Sequence, residues 1–256
     1  MKRSFWTVFC ALTLLLSSAM PAGAFEIGAR ALYWFPAMKA DMKADSDAKV
    51  GTDLNLKDNL GVGSESFPTF EAFGGVGKHR LSLAYTPIKY SGSTRLASPV
   101  NFNGQTFAAG SDVNTDLKLR MLDLEYQYKF LDLENILAGF SLSAIGQIKV
   151  IDGEAKMEAP ATATSADFTV RVPIPMVGVG AHVGLLAGLL EARAKVTGVA
   201  YSRNYLYEGL ADLSWTPFPF LDIHGGYKII RLKIDHNDKF LDTQFQGPYV
   251  GLTVSF

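Results

Sequence analysis

Apolar and polar residues alternate along most of the chain beyond residue 25. From Leu122 to Phe130, leucine, tyrosine and phenylalanine occupy every second position, and the positions between them are Asp, Glu, Gln and Lys. The stretch from Glu191 to Gly198 alternates in the same way. A period of two places the two sets on opposite faces of a strand, whereas a helix would spread both sets around its surface. The pattern therefore predicts β-strands with one apolar and one charged face.

The same pattern divides the chain into ten predicted strands. They cover residues 25–38, 67–77, 79–95, 113–130, 136–150, 168–184, 189–202, 205–216, 220–235 and 241–256. Short connections alternate with longer ones, of which 39–66, 96–112 and 151–167 are long and polar. This alternation is typical of transmembrane barrels, in which the short turns are periplasmic and the long loops external. We predict an all-β, antiparallel up-and-down transmembrane β-barrel of about ten strands, with eight or twelve as the alternatives.

The first 24 residues have the features of a secretory signal peptide. The chain starts Met1-Lys2-Arg3, continues with an apolar run from Phe5 to Leu16, and reaches the small-residue site Ala22-Gly23-Ala24. The run is shorter than the ~20 residues that a spanning helix needs. We therefore predict a signal peptide over 1–24 and a single barrel domain over 25–256.

Signal cleavage after Ala24 is directly testable. Small residues at Ala22 and Ala24 suit the peptidase, so we expect the mature protein to start at Phe25. N-terminal sequencing of the membrane-extracted protein checks this. A start many residues away from Phe25 would contradict the predicted domain boundary.

Cysteine content and charge exclude several kinds of site. The single cysteine, Cys10, lies in the predicted signal peptide, so the mature chain has no thiol for a disulfide, a thiolate metal site or a nucleophile. Lys and Arg number 24 against 25 Asp and Glu, without a block of like charge, so nothing indicates nucleic-acid binding. We predict neither a cofactor nor a nucleic-acid partner.

The apolar strand faces could contact lipid or a soluble core. Aromatic residues gather near predicted strand ends, for example Tyr33 to Phe35, Tyr128 with Phe130, and Trp215 with Phe218, and such clusters form the interfacial girdles of membrane barrels. This favours lipid contact and places the mid-strand charges in the lumen. The predicted lumen charges are Arg30, Arg80, Glu125, Lys129, Glu191, Arg193, Lys195, Asp222 and Lys228.

The end of the chain carries a resemblance to a known class. Residues 249–256 read Tyr-Val-Gly-Leu-Thr-Val-Ser-Phe, with an apolar residue at every second position. This segment resembles the C-terminal β-signal of Gram-negative outer-membrane proteins, whose last strand is offered to the barrel-assembly machinery. On that resemblance, Tyr249, Gly251, Val254 and Phe256 form the assembly signal. It also implies an outer-membrane location, surrounding outer-membrane lipid and lipopolysaccharide as partners, and a monomeric barrel.

Motifs for catalysis are weak. The glycine-rich segment 74–79 departs from a phosphate loop, because Ala72 takes its first glycine position and His79 its Ser/Thr position. Asp235-His236-Asn237-Asp238 weakly resembles the acidic and histidine-containing rim of outer-membrane proteases, but a solvated hairpin loop explains it better. The acidic residues of 39–66 lack an EF-hand pattern and leave only loose cation binding open. We predict that the protein is not an enzyme.

The sequence leaves three hypotheses for function. The first is a structural or surface-interaction barrel whose lumen is filled by charged side chains. The second is a narrow channel for ions or small solutes. A barrel of eight strands is just filled by its side chains, so a pore through ten strands would be narrow at most. The third is an outer-rim enzyme acting on lipid A or peptides.

Overall fold

The computed structural model describes residues 25–44, 52, 54–55, 61, 63, 65–133, 139–186, 189–236 and 239–256. The predicted signal peptide lies outside the described residues. The strands are β1 Phe25–Trp34, β2 Ala37–Ala44, β3 Leu54–Asn55, β4 Phe67–Val76, β5 His79–Arg95, β6 Val100–Phe102, β7 Gln105–Phe107, β8 Asp112–Leu133, β9 Phe140–Ala159, β10 Thr164–Leu185, β11 Leu190–Tyr201, β12 Asn204–Phe218, β13 Leu221–His236 and β14 Lys239–Ser255. A 3₁₀ turn, Pro160–Thr162, joins β9 to β10. In the part of the chain so described, no helix is long and apolar enough to cross a bilayer.

The sheet closes on itself. Every neighbouring pair is antiparallel, and the first strand pairs with the last, with Ala31 opposite Leu252. Strands β1 and β2 share one position in the wall, because β14 pairs with β1 along its later half and with β2 along its earlier half. The wall therefore has ten positions, which confirms the predicted ten-stranded barrel.

The strand is interrupted at Phe35 and Pro36, where β1 gives way to β2, and we call this short break the kink. The backbone around Phe35 approaches β14 so closely that a Cβ atom at Gly247 would collide with the Phe35 carbonyl oxygen. Only glycine fits at this position. The indole of Trp34 donates a hydrogen bond to the Gly247 carbonyl at 3.1 Å and so ties the kink to the barrel interior.

The strands end at similar levels at one end of the barrel, whereas at the other end three of them extend farther than the rest. We call the end that carries both Phe25 and Phe256 the lower end and the opposite end the upper end. The turn at Gly77–Lys78 lies at the lower end, whereas the turn at Pro160–Thr162 lies at the upper end. Strands β8, β9 and β10 stay paired up to Asn114, Glu158 and Thr164. Their upper halves form what we call the tall wall (residues 112–121, 150–159 and 164–176).

The predicted loop over 151–167 is wrong, because β9 and β10 occupy all of it except the four-residue turn. The predicted loops 39–66 and 96–112 also contain strands, namely β2, β3 and the β6–β7 hairpin. These segments look polar because their outward residues are charged. Their alternation continues, however, with Ile151, Ala155 and Met157 facing inward and buried.

The two faces of the wall exchange polarity partway up each long strand. In the lower part of β8, Leu124 and Tyr126 face outward and are exposed, while Asp123 and Glu125 face inward and are buried. In the upper part the outward set is Asn114, Asp116, Lys118 and Arg120, and the inward set is Val113, Thr115, Leu117, Leu119 and Met121. Apolar outer surface is stable against lipid, and charged outer surface against water. The barrel therefore crosses the bilayer with its lower half, and its upper half stands in water with an apolar core of its own.

The β6–β7 hairpin covers the top of that core. Its side chains Val100, Phe102 and Phe107 are buried together with Leu96. The Asn103 side chain donates a hydrogen bond to the main-chain carbonyl of Asp167 in β10, at 2.6 Å. The hairpin is thus a cap across the inner face of the tall wall.

Candidate functional site: the barrel interior

The interior of the lower half contains a network of paired charges, which we call the lower tier. At its centre Lys149 is fully buried, with its Nζ atom 2.5 Å from Asp123 Oδ1 and 2.9 Å from Glu208 Oε2. Lys228 reaches the other oxygen of Glu208 at 3.0 Å. Burying an unpaired charge is very costly, so each buried charge here needs its partner. Strands β9 and β12 are three positions apart in the wall, so the Lys149–Glu208 pair spans the lumen.

A second set of contacts crosses the lumen beside the first. Lys195 on β11 contacts Glu125 on β8 at 2.8 Å, again three wall positions apart. Gln147 donates to Asp123 at 2.9 Å and accepts from Thr197 at 2.8 Å. Side chains from distant strands therefore meet at the barrel axis.

A third set lines the side formed by β11 to β14. Arg193 binds both carboxylate oxygens of Asp212, at 3.0 and 3.1 Å, and lies 2.7 Å from the His224 ring. The Tyr249 hydroxyl donates to Asp212 at 2.6 Å. His224 contacts Thr253 on the next strand at 2.6 Å. A planar guanidinium that forms two hydrogen bonds to one carboxylate is a rigid pair. This pair closes this side of the lumen.

The lower mouth of the barrel contains a wide cavity below the charged network. A vestibule of about 920 Å³ opens below the network, and its lining includes Lys129 and Asp222. Arg80 pairs with Glu26 at 3.2 Å, and His182 lies 3.2 Å from Glu191. Asp222 accepts a hydrogen bond from Thr216 at 2.6 Å. Arg30 pairs with Glu71 at 3.2 Å, higher on the same side.

The structure places all nine sequence-predicted lumen charges on the inner face, at the contacts just described, with Lys129 lining the vestibule. Sequence reasoning missed the other members of the network, among them Glu71, Glu208 and Asp212, which pair with Arg30, Lys228 and Arg193. The missed residues are Glu71, Asp123, Lys149, Glu208, Asp212 and His224. The inward position of Lys149 could have been predicted, because Lys149 stands between the apolar residues Ile148 and Val150 in an alternating strand.

The four residues of the predicted assembly signal point to opposite sides of β14. Tyr249 is buried in the lumen, and Gly251 lies on the same inner face. Val254 and Phe256 point outward and are exposed. Their role in assembly stays a prediction.

The interior of the upper half is apolar, and we call it the upper tier. Trp34, Tyr90 and Phe245 are buried and pack ring against ring, with centroids 6.2 to 6.4 Å apart. Phe67 meets Tyr90 edge to face at 5.1 Å. Burial raises the pKa of the Tyr90 phenol, so the hydroxyl stays neutral among these rings. The sequence predicted a lumen filled by charged side chains, and this holds for the lower tier alone.

The outer surface of the tall wall carries exposed ion pairs between neighbouring residues. Lys118 lies 3.5 Å from Glu154, and Arg120 lies 3.9 Å from Asp152. The hydrogen bond that Lys156 donates to Glu158 raises the pKa of Lys156. Exposed pairs of this kind contribute little to stability. They make the tall wall a water-facing surface.

The candidate groups for catalysis are metal ligands, histidines and the rim segment. No three His, Cys, Asp or Glu side chains among them group as metal ligands. His79 faces outward and bonds the Tyr126 hydroxyl at 2.6 Å. The side chains of the rim segment 235–238, which weakly resembles a protease rim, lie outside the described residues.

Comparisons with known proteins bear on the fold. No protein-family model matches the chain, and no curated protein matches its sequence. Among solved structures, the outer membrane protease OmpT from Escherichia coli has a TM-score of 0.59 at 9% identity, covering 91% of this chain and 98% of that one. The translocator domain of the autotransporter NalP from Neisseria meningitidis has a TM-score of 0.42 at 8% identity, covering 100% and 96%. Ail, the attachment invasion locus protein of Yersinia pestis, has a TM-score of 0.38 at 9% identity, covering 90% and 99%.

Three features define the class. They are the closed antiparallel wall, the likeness to OmpT, and the apolar outer surface of the lower half (for example Leu124, Tyr126 and Val177), which we call the apolar belt. The chain has the fold of an outer-membrane β-barrel protein, as the sequence predicted. Within that class it is a ten-stranded barrel with a charged lower tier, an apolar upper tier and a water-facing tall wall.

Proposed function

We propose that this protein is an outer-membrane barrel of the structural or surface-interaction type, with a lumen closed by its own side chains. The observation that carries the proposal is the filling of both tiers. Lys149, Asp123 and Glu208 are at most 8% exposed at the centre of the lower tier, and Trp34, Tyr90 and Phe245 are at most 2% exposed above them. An ion would have to break buried ion pairs and then cross an apolar layer, and both barriers oppose conduction.

Conductance of the refolded protein tests this proposal. In planar bilayers we expect no discrete conductance steps under conditions in which a general porin conducts. A variant that lacks the β6–β7 hairpin should also fail to conduct, because the lower tier closes the barrel independently of the cap. Regular single-channel steps from the wild type would support the alternative function, a narrow channel.

We propose lipopolysaccharide as the surface partner. Just above the apolar belt, outward-facing cations occupy the wall on many strands. They are Lys39, Lys89, Arg120, Arg171 and Arg231, which we call the basic ring. Lipopolysaccharide carries phosphates at this level of the outer leaflet, and cations near an anionic surface contribute about 1 kcal/mol each. The basic ring is therefore a surface suited to lipid A phosphates.

Neutralising part of the basic ring should weaken this binding. In the triple variant Lys39→Gln, Lys89→Gln, Arg120→Gln we expect lipopolysaccharide binding to fall on the order of 100-fold, at about 1 kcal/mol per cation. Titration of the refolded protein with lipopolysaccharide, followed by its thermal stabilisation, measures the change. The triple variant Arg95→Gln, Lys156→Gln, Lys233→Gln removes the same charge from positions farther along β5, β9 and β13 toward the upper end, and it is the matched control. Equal losses in both variants would contradict a specific ring and leave only a general charge effect.

Peptide or lipid A hydrolysis remains the alternative, because OmpT is a protease with the same overall fold. The rim motif Asp235-His236-Asn237-Asp238 is the segment to test. Loss of a measured hydrolase activity in His236→Ala would favour it over the surface-interaction proposal.

A further inference from the structure

The upper wall has a notch beside the tall wall. Strand β10 pairs with β9 as far as Thr164 opposite Ala159, but its pairing with β11 ends at Val177 opposite Gly198. Above that point β11 turns into β12 after Tyr201. The edge of β10 over 164–176 therefore has no strand paired to it on this side among the described residues.

The sequence of β10 maintains this break. Pro173 and Pro175 fall just above the last β10–β11 pair, and each still has a partner on β9. Proline has no amide hydrogen, so neither residue can donate to an extended β11, and prolines occur in sheets mainly along such free edges. The two prolines therefore oppose any extension of β11 along β10, so the sequence itself encodes the notch.

An apolar cavity lies behind the notch. It measures about 90 Å³. Phe168, Val170 and Val172 of β10 line it on one side, and Leu206 and Ile230 line it across the lumen. Strand β10 borders the notch directly, and β12, which carries Leu206, begins after the β11–β12 turn on its other side. Although its register points it inward, Val170 is 37% exposed, which indicates that the cavity communicates with the outside.

The lining decides the chemistry of the occupant. Apart from Glu154 and Thr243 the cavity wall is formed by apolar residues and glycine. Apolar cavities without polar partners stay dry, and one of about 150 Å³ holds a benzene molecule. This cavity therefore has room for a short alkyl segment, which would bind without displacing ordered water.

The position of the notch decides how the occupant enters. Val177, at the foot of the notch, is 74% exposed on the lipid-facing side, so the notch begins at the upper edge of the apolar belt. Arg171 on β10 and Arg203 in the β11–β12 turn stand on its two sides and are exposed. A chain that enters here leaves its head group between two cations.

We propose that the upper tier binds the end of an alkyl chain, which enters through the notch and leaves an anionic head group at Arg171 and Arg203. Two sources present this chemistry, a free alkyl carboxylate from the aqueous side and an acyl chain of an anionic outer-leaflet lipid. Of the basic ring this binding uses Arg171 alone. It needs neither lumen closure nor Lys39, Lys89 and Arg120, which the lipopolysaccharide test replaces.

Trp34 provides the reporter for a test. Its ring lies 6.4 Å from Phe245, and Phe245 lines the cavity. Replacing the outward-facing Trp215 by Phe leaves Trp34 as the sole tryptophan of residues 25–256. The protein is held in lipid nanodiscs, so that detergent tails do not compete, and titrated with terminally brominated alkanoates from hexanoate to dodecanoate. Bromine quenches indole fluorescence at short range, so a bromine held in the cavity beside Phe245 lies within reach of Trp34.

We expect saturable quenching with an affinity that rises about fourfold for each added methylene until the cavity is full. Val170→Phe, which fills the cavity, should weaken binding at least tenfold, and Gly153→Val should do the same from the neighbouring strand β9, where Gly153 pairs with Val170. Val179→Phe places the same ring on the lipid-facing side of β10 and should leave binding unchanged.

A second arm separates the two sources. In nanodiscs whose lipids carry brominated chains, with no alkanoate added, quenching of Trp34 that disappears in Val170→Phe identifies the bilayer acyl chain as the occupant. Its absence, together with saturable quenching by alkanoates, identifies the free carboxylate. Quenching that is insensitive to chain length and to both filling variants would overturn the proposal, whatever the conductance and lipopolysaccharide experiments give.

Discussion

Replacing Lys149 by Met is expected to cost about 3–5 kcal/mol of the free energy of unfolding, as for other broken buried ion pairs. The methionine matches the volume of lysine but leaves Asp123 and Glu208 without their shared cation. Glu208 keeps Lys228 at 3.0 Å, whereas Asp123 keeps only the Gln147 amide among the contacts described above. Urea unfolding of the refolded barrel measures the loss, and the shift in its heat-dependent gel mobility gives a second readout.

Two further variants make the result decisive. Lys118→Met breaks the exposed Lys118–Glu154 pair on the outer face, and we expect it to change stability by less than about 1 kcal/mol. Adding Asp123→Asn to Lys149→Met removes the orphaned charge and should recover part of the loss. If Lys149→Met costs no more than Lys118→Met, water must reach the network, and the narrow channel becomes the better proposal.

The barrel itself could be predicted because its signal is local. Alternation in 122–130 or 191–198 fixes a strand and the face of each residue within a few positions. Counting strands then gives the closure, since an even number returns the chain to the same end. The inward placement of Arg193 or Lys195 follows from the same parity.

The tall wall could not be predicted in the same way, for a physical reason. Above the bilayer the solvent outside the barrel changes from lipid to water, and the preferred polarity of each face changes with it. Residues such as Asp152 and Glu154 then occupy positions that would be apolar in a lipid-facing strand, and the segment resembles a polar loop. Alternation alone does not show that Ile151 and Ala155 have become core residues.

The pairing inside the lumen was also beyond a single sequence. Lys149 and Glu208 are 59 residues apart and lie on strands three positions apart in the wall. Their contact depends on the shear of the barrel, which no local pattern encodes. The same holds for the notch, because Pro173 and Pro175 are informative only once the register of β10 against both neighbours is known.

Removing the Phe256 side chain is expected to act on assembly far more than on the folded barrel. The ring is 68% exposed and stacks on Phe220 with a centroid distance of 5.1 Å. Burial of so small a part of a ring contributes less than the ~1.5–3 kcal/mol of a fully buried one. The backbone of Phe256 exchanges two hydrogen bonds with Ile27, at 2.8 and 2.9 Å, and Phe256→Ser keeps both.

We therefore expect Phe256→Ser to lower the amount of protein in the outer membrane severalfold, with precursor or degraded chain left in the periplasm. The same variant refolded in detergent should remain compact and heat-resistant. Phe218→Ser is the matched control, because Phe218 is 64% exposed at the same lower end but lies outside the last strand. If the machinery reads the terminal strand as an open edge for strand addition, the change at 256 lowers the yield and the change at 218 does not. Equal losses in the two variants would mean that aromatic anchoring at the interface, and not a terminal signal, limits assembly.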